Sequence, residues 1–186
     1  MPDGTRPVRS GQALSLANVI TFARLCAVPL AVWLVLRQHF HIAFALFVLA
    51  GLSDAVDGWL ARRRGSTALG AMLDPVADKA LLVSMYVTLS AMGALPDWLA
   101  ILVVFRDLVI VGGILVLWQL GHVVPIQPLL ISKLNTALQI LLVALALLLT
   151  GFLLMAPVLM DVLIWAVAAT TLCSGAAYVW SAARGR

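Results

Sequence analysis

The chain has 186 residues, 63% of them hydrophobic, and a mean hydropathy of +1.09. This excludes an ordinary soluble domain and points to an integral membrane protein built as one helical bundle. The net charge of +4 and pI of about 9.7 fit basic cytoplasmic loops facing anionic lipid, so no nucleic-acid partner is expected.

Residues 1–12 are polar, with Pro, Gly and Arg, and read as a mobile tail ahead of a membrane domain spanning 13–186. The first apolar segment runs roughly from Leu16 to Leu36. It carries Asn18, Thr21 and Arg24 at i, i+3 and i+6. Arg24 has two readings: its head snorkels to the interface, or this face lines a polar cavity. Because Arg24 interrupts the run and no clean cleavage site follows, no secretory leader is expected. Arg37 to His41 reads as a solvated turn. Cys26 and Cys173 lie far apart in apolar runs and read as small core side chains.

The second segment, Ile42 to Leu60, and the third, Leu69 to Met92, hold an acidic cluster. The chain has eight acidic residues, all aspartates, and Asp54, Asp57, Asp74 and Asp78 fall within one short stretch. Four like charges in an apolar chain repel one another and resist desolvation, so a compensating cation is expected. Carboxylate oxygens suit Mg²⁺ or Mn²⁺, and no Cys/His cluster offers a softer site. At roughly 100° per residue, Asp54, Asp57, Gly58 and Ala61 share one helix face. Gly70, Asp74 and Asp78 share another. A short basic loop, Arg62 to Ser66, folds the two together. Pro75 is expected to start or kink its helix. A charge-balancing role for Lys79 is open.

The fourth segment, Trp98 to Leu120, is interrupted by Arg106 and Asp107. A local ion pair would satisfy both, but adjacent residues point to different helix faces, and Arg106 facing the cavity is preferred. A loop follows, from Gly121 to Ile131. The fifth segment opens with Ser132 and ends near Leu154. Lys133, Thr136 and Gln139 step at i+3, and with Asn135 they suggest a polar cavity wall, although a helix-end lysine is also a common interfacial anchor. The sixth segment runs from Pro157 to about Trp180. The fold class is therefore all-α: a polytopic bundle of six transmembrane helices with a cytoplasm-facing polar cavity. The side holding Arg6, Arg9, Arg62, Arg63, Arg64, Lys133, Arg184 and Arg186 is cytoplasmic, or its matrix equivalent, since the opposite loops hold only Arg37. The acidic cluster opens on the basic side.

The pattern Asp54-x-x-Asp57-Gly58-x-x-Ala61-Arg62, seven residues, then Gly70-x-x-x-Asp74-x-x-x-Asp78 resembles the signature of the CDP-alcohol phosphatidyltransferase family at every fixed position. The resemblance implies a divalent metal on Asp54, Asp57 and Asp74, with Asp78 as general base and further ligand. It implies a CDP pocket shaped by Asp54, Gly58, Ala61, Arg62 and Gly70. Arg24, Arg106, Lys133, Asn135 and Gln139 are candidates for the acceptor. The segments Ala50–Asp54, Leu73–Lys79, Arg106-Asp107 and Ile131–Gln139 look like the eukaryotic-type cardiolipin synthases within that family. These transfer the phosphatidyl group of CDP-diacylglycerol to phosphatidylglycerol and release CMP. Phosphatidylglycerophosphate synthases, with glycerol 3-phosphate as acceptor, are close relatives. The family also implies a homodimer, in a bacterial inner membrane or mitochondrial inner membrane. A divalent-cation transporter is the reading from another class. Its ion site would lie near the bilayer midplane, whereas these aspartates cluster toward one side.

Overall fold

The structure, a computed structural model, describes residues 16–64, 68–119 and 130–183, with side-chain surroundings for 23–53, 79–113, 130–178 and Trp180. Among the described residues it contains six α-helices and no strand: α1 (Leu16–Leu36), α2 (Phe40–Arg64), α3 (Ala68–Ala91), α4 (Asp97–Gln119), α5 (Leu130–Gly151) and α6 (Pro157–Ala183). The tail expected at 1–12, residues 121–129 of the loop expected from Gly121 to Ile131, and the side chains of Asn18, Thr21 and Trp118 lie outside the described residues; Leu130 and Ile131 already belong to α5.

Apolar runs of this length form helices because each backbone group is then satisfied within its own segment, the one open arrangement available in hydrocarbon. Three helices end in the same way. After α1 the His39 amide donates to Leu34 O at 2.9 Å and the Gln38 amide to Val35 O at 2.9 Å, with Gln38 at φ 61°. After α3 the Ala94 amide donates to Leu89 O at 2.9 Å, with Gly93 at φ 73°. After α5 the Leu154 amide donates to Leu149 O at 2.9 Å, with Leu153 at φ 54°. Each left-handed residue turns the chain back and satisfies carbonyls the helix leaves open.

Several boundaries differ from the expectation. Helix α2 continues through Arg62, Arg63 and Arg64 rather than ending at Leu60. Arginine is a good helix former, and positive charge suits a helix C-terminus. Helix α3 runs through position 75, so Pro75 does not start it. Helix α5 stops at Gly151 because Leu153 leaves the right-handed region.

Helix α1 packs on α2 and α3, α5 packs on α2, α3 and α6, and α4 packs on α3 and α6. The shared core is apolar, with Val35, Met85, Tyr86, Leu89, Leu99, Leu142 and Leu147 fully buried. Gly151 presses against the start of α2: a Cβ there would lie 2.8 Å from the His41 amide nitrogen. The C-terminal end of α5 therefore sits beside the N-terminal end of α2, and these two helices run antiparallel.

The outer surface is also apolar. Ile101, Phe105, Leu108, Val158 and Trp165 are exposed. Leu130–Gly151 and Pro157–Tyr178 are long and apolar enough to cross a bilayer. This is the surface of a membrane protein, where lipid rather than water meets apolar side chains. Cys26 and Cys173 belong to that surface: both are exposed, not in the core as their apolar neighbours suggested. In a membrane an apolar run does not say which of its faces is inward.

Candidate active site

The acidic residues lie on two unbroken helices joined by three residues. Positions 54, 57, 58 and 61 fall in α2 at i, i+3, i+4 and i+7, and positions 70, 74 and 78 fall in α3 at i, i+4 and i+8. The backbone thus supplies the periodicity that puts each set on one face. The side chains of Asp54, Asp57, Gly58, Ala61, Arg62, Gly70, Asp74 and Asp78 lie outside the described residues. As a donor set, four carboxylates on two helices suit a hard divalent cation.

Immediately before this segment the Ser53 hydroxyl donates to Leu49 O at 2.8 Å, a bond back to its own helix. Immediately after it, Lys79 Nζ donates to Asp107 Oδ2 on α4 at 2.7 Å. The other oxygen of Asp107 accepts from Arg106 Nη1 at 2.8 Å. Arg106 Nη2 donates to Ser132 Oγ on α5 at 2.8 Å and also to Ser174 Oγ on α6. The guanidinium lies 5.9 Å from the Tyr178 ring centroid. One arginine thus ties three helices together, while Asp107 joins it to α3. Arg106 both forms the local ion pair and turns into the protein, where it is 6% exposed.

Between α1, α2, α3 and α5 lies a cavity of about 530 Å³. Its wall is largely apolar, from residues such as Phe47, Leu81, Leu82 and Ile140, but Arg24, Lys79 and Thr136 also line it. Arg24 is 4% exposed and lines this cavity, so its side chain is buried and not at the outer surface. Arg106, Lys133, Asn135 and Gln139 are not among the lining residues. Lys133 is exposed.

Asn135 is fully buried, and its Oδ1 accepts from Thr170 Oγ1 and Thr171 Oγ1 on α6, each at 2.9 Å. Gln139, one turn on, is also fully buried. Its backbone carbonyl accepts from Tyr86 Oη at 3.3 Å, but neither atom of its side-chain amide has a hydrogen-bond partner among the described residues. Of the proposed acceptor residues, then, Arg24 reaches the cavity, Arg106 anchors the neighbouring helices, and Asn135 and Gln139 sit in the seams of α5. Sequence reasoning left a charge-balancing role for Lys79 open without pairing it with Asp107, and it gave no role to Ser132, Ser174, Thr170 and Thr171. A lysine and an aspartate on successive apolar helices were the available signal for that pairing. Nothing in the order of residues distinguishes those hydroxyls from others on the same helices.

A family profile for CDP-alcohol phosphatidyltransferase matches residues 14–173. The chain is 34% identical over 184 residues to the CDP-diacylglycerol–glycerol-3-phosphate 3-phosphatidyltransferase 1, chloroplastic, of Oryza sativa, covering 89% of this chain and 56% of that one. It is 31% identical over 147 residues to the cardiolipin synthase (CMP-forming) of Homo sapiens, covering 70% and 49%. It is 40% identical over 117 residues to the cardiolipin synthase (CMP-forming) of Streptomyces coelicolor, covering 58% and 54%. The chain spans about half the length of these curated relatives. With its acidic signature intact on α2 and α3 and the profile match running from α1 into α6, the chain belongs to the CDP-alcohol phosphatidyltransferase family.

Proposed function

We propose that the chain is a cardiolipin synthase that transfers the phosphatidyl group of CDP-diacylglycerol to phosphatidylglycerol and releases CMP. The observation that carries this reading is the intact acidic signature at helical spacing on α2 and α3, in a chain similar to proteins named CMP-forming cardiolipin synthases. Asp54, Asp57 and Asp74 would hold a divalent cation, Mg²⁺ or Mn²⁺, with Asp78 adjoining. Bound there, the cation supplies neutralisation of the pyrophosphate charge and of the departing phosphate.

Gly58, Ala61, Arg62 and Gly70 shape the CMP pocket. Asp78 takes the proton of the acceptor hydroxyl, whose oxygen forms the new bond to the lipid-bearing phosphorus. The bond from that phosphorus to the CMP oxygen breaks, and CMP leaves with the electron pair. A base in this position needs reach and an unprotonated carboxylate, and neighbouring cations favour the second.

The setting of this reaction is a domain over 13–186 whose six helices all span a bacterial or mitochondrial inner membrane. The site faces the cytoplasm or matrix, and the chain pairs as a homodimer. The basic residues of the α2 end and of Lys133 support that orientation.

A second reading, phosphatidylglycerophosphate synthase, is favoured by the similarity to the rice protein over 89% of the chain. The two are separated by offering the purified protein labelled CDP-diacylglycerol with either phosphatidylglycerol or glycerol 3-phosphate and identifying the lipid product.

A further inference from the structure

The cavity between α1, α2, α3 and α5 combines two chemistries that the acidic motif does not use. Its volume of about 530 Å³ lies within the usual size range of ligand pockets. Its polar groups gather at one end. Along α3 the wall runs from Lys79 to Leu82, along α5 from Thr136 to Ala144, and along α2 from Leu52 back to Phe47. Helices α2 and α5 are antiparallel, as the Gly151 contact shows, and α3 follows α2 after three residues. Lys79 and Thr136 therefore mark the end toward the aspartate-bearing segments, and the far end is hydrocarbon.

Lys79 is held, not loose. Asp107 fixes its ammonium at 2.7 Å, yet its side chain remains 41% exposed, and an ammonium has three donors. In the cluster of Lys79, Asp107 and Arg106 there are two cations and one carboxylate, which leaves one net positive charge. Arg24 of α1 also lines the cavity. Positive charge above an apolar chamber, within a membrane protein, matches an anion attached to an acyl chain. A small water-soluble phosphate would use the cations and leave the chamber without a match.

We propose that this cavity is the acceptor-lipid subsite, with the phosphodiester of phosphatidylglycerol on Lys79 and Arg24 and an acyl chain among Phe47, Leu82 and Ile140. Asp107 is a positioning residue that sets the Lys79 ammonium at the mouth. The inference rests on the cardiolipin synthase reading and names how the acceptor is recognised. The acceptor is favoured over the donor for a reason of charge and place. In that reading the phosphates of the donor are matched by the cation on the aspartates, while the single phosphate of the acceptor has no partner there. Lys79 directly follows Asp78 on α3, so the proposed lipid anchor and the proposed base are neighbours in the chain.

The test uses the full chain in nanodiscs of phosphatidylcholine with graded phosphatidylglycerol and CDP-diacylglycerol. Lys79→Gln should raise KM for phosphatidylglycerol by about tenfold or more, the scale of one lost charge-assisted hydrogen bond, with KM for CDP-diacylglycerol little changed. Ile140→Trp and Ala144→Phe, which fill the chamber, should act in the same direction. Asp107→Asn should raise the same KM by a smaller factor, and Lys79→Arg and Asp107→Glu should recover most of it. In a second readout without turnover, chelator-treated wild-type protein should retain phosphatidylglycerol over phosphatidylcholine in native mass spectra, and Lys79→Gln should not. A rise confined to KM for CDP-diacylglycerol would give the cavity to the donor and overturn the proposal, as would unchanged KM values with unchanged retention. A wild-type protein that makes product only from glycerol 3-phosphate would instead overturn the functional reading itself, and the retention experiment would still report on the cavity.

Discussion

Asp107 receives the ammonium of Lys79 on one oxygen at 2.7 Å, while its other oxygen takes the guanidinium of Arg106 at 2.8 Å. A single carboxylate therefore links α3, just beyond the acidic segment, to the arginine that holds α4, α5 and α6 together. Removing it leaves two cations facing each other in a membrane interior. Asp107→Ala should cost about 1–3 kcal/mol of stability, the scale for stripping a buried hydrogen-bonded group of its partner. Thermal unfolding in detergent checks this, and an unchanged midpoint would show that the pair does not hold the helices.

Gly151 and Gly112 make a matched pair of tests. A Cβ at Gly151 would meet His41 N at 2.8 Å and Phe40 C at 3.1 Å, both backbone atoms that cannot rotate away. Gly151→Ala should destabilise by about 1–3 kcal/mol, as overpacking does. Gly112 has nothing within 4 Å of the same position. Gly112→Ala should be neutral or stabilise by up to about 1 kcal/mol through helix propensity. The two thermal midpoints should move in opposite directions or, at the least, differ clearly.

The helices were legible because long apolar runs separated by short polar turns admit few other arrangements in lipid. Helix α1, Leu16–Leu36, covers the first apolar run expected at roughly those bounds. What could not be read were local choices at the ends. Arg62 to Arg64 look like a loop by charge but extend a helix by propensity, and Leu153 turns left-handed without a glycine to announce it. The aspartates stood out because acidic residues are scarce in this chain. The roles of Arg106 and Asn135 did not, because a polar residue on an apolar helix can face a cavity or a neighbour, and here α6 supplies the neighbour. Thr170 and Thr171 meet Asn135, and Ser174 meets Arg106, across more than thirty residues of chain.

Gln139 offers a direct check of its burial. Its side-chain amide is enclosed without a hydrogen-bond partner among the described residues. Replacing such a group by an apolar one of similar size removes a desolvation penalty of about 1–3 kcal/mol. Gln139→Leu should raise the thermal midpoint. A lower midpoint would mean that the amide is satisfied in the folded protein and belongs to a wetter region than its burial indicates.

Asp78 carries the proton transfer in the proposed reaction. Asp78→Asn keeps the shape and removes the base, so turnover should fall by about 10²–10⁴-fold, the usual contribution of a positioned general base. Elution as a folded species should be unchanged. Near-normal turnover in the asparagine variant would remove Asp78 from the mechanism.

In the proposed reaction, a cation held by the aspartates of α2 and α3 activates a nucleotide-linked lipid for transfer to phosphatidylglycerol. The most direct measurement follows CMP release and the lipid product from labelled CDP-diacylglycerol with phosphatidylglycerol, before chelation, after it, and after Mg²⁺ or Mn²⁺ is restored. Cardiolipin formation that stops with chelation and returns with the metal is the predicted result. Cardiolipin formation indifferent to chelation, or no cardiolipin at all under any condition, would contradict the account.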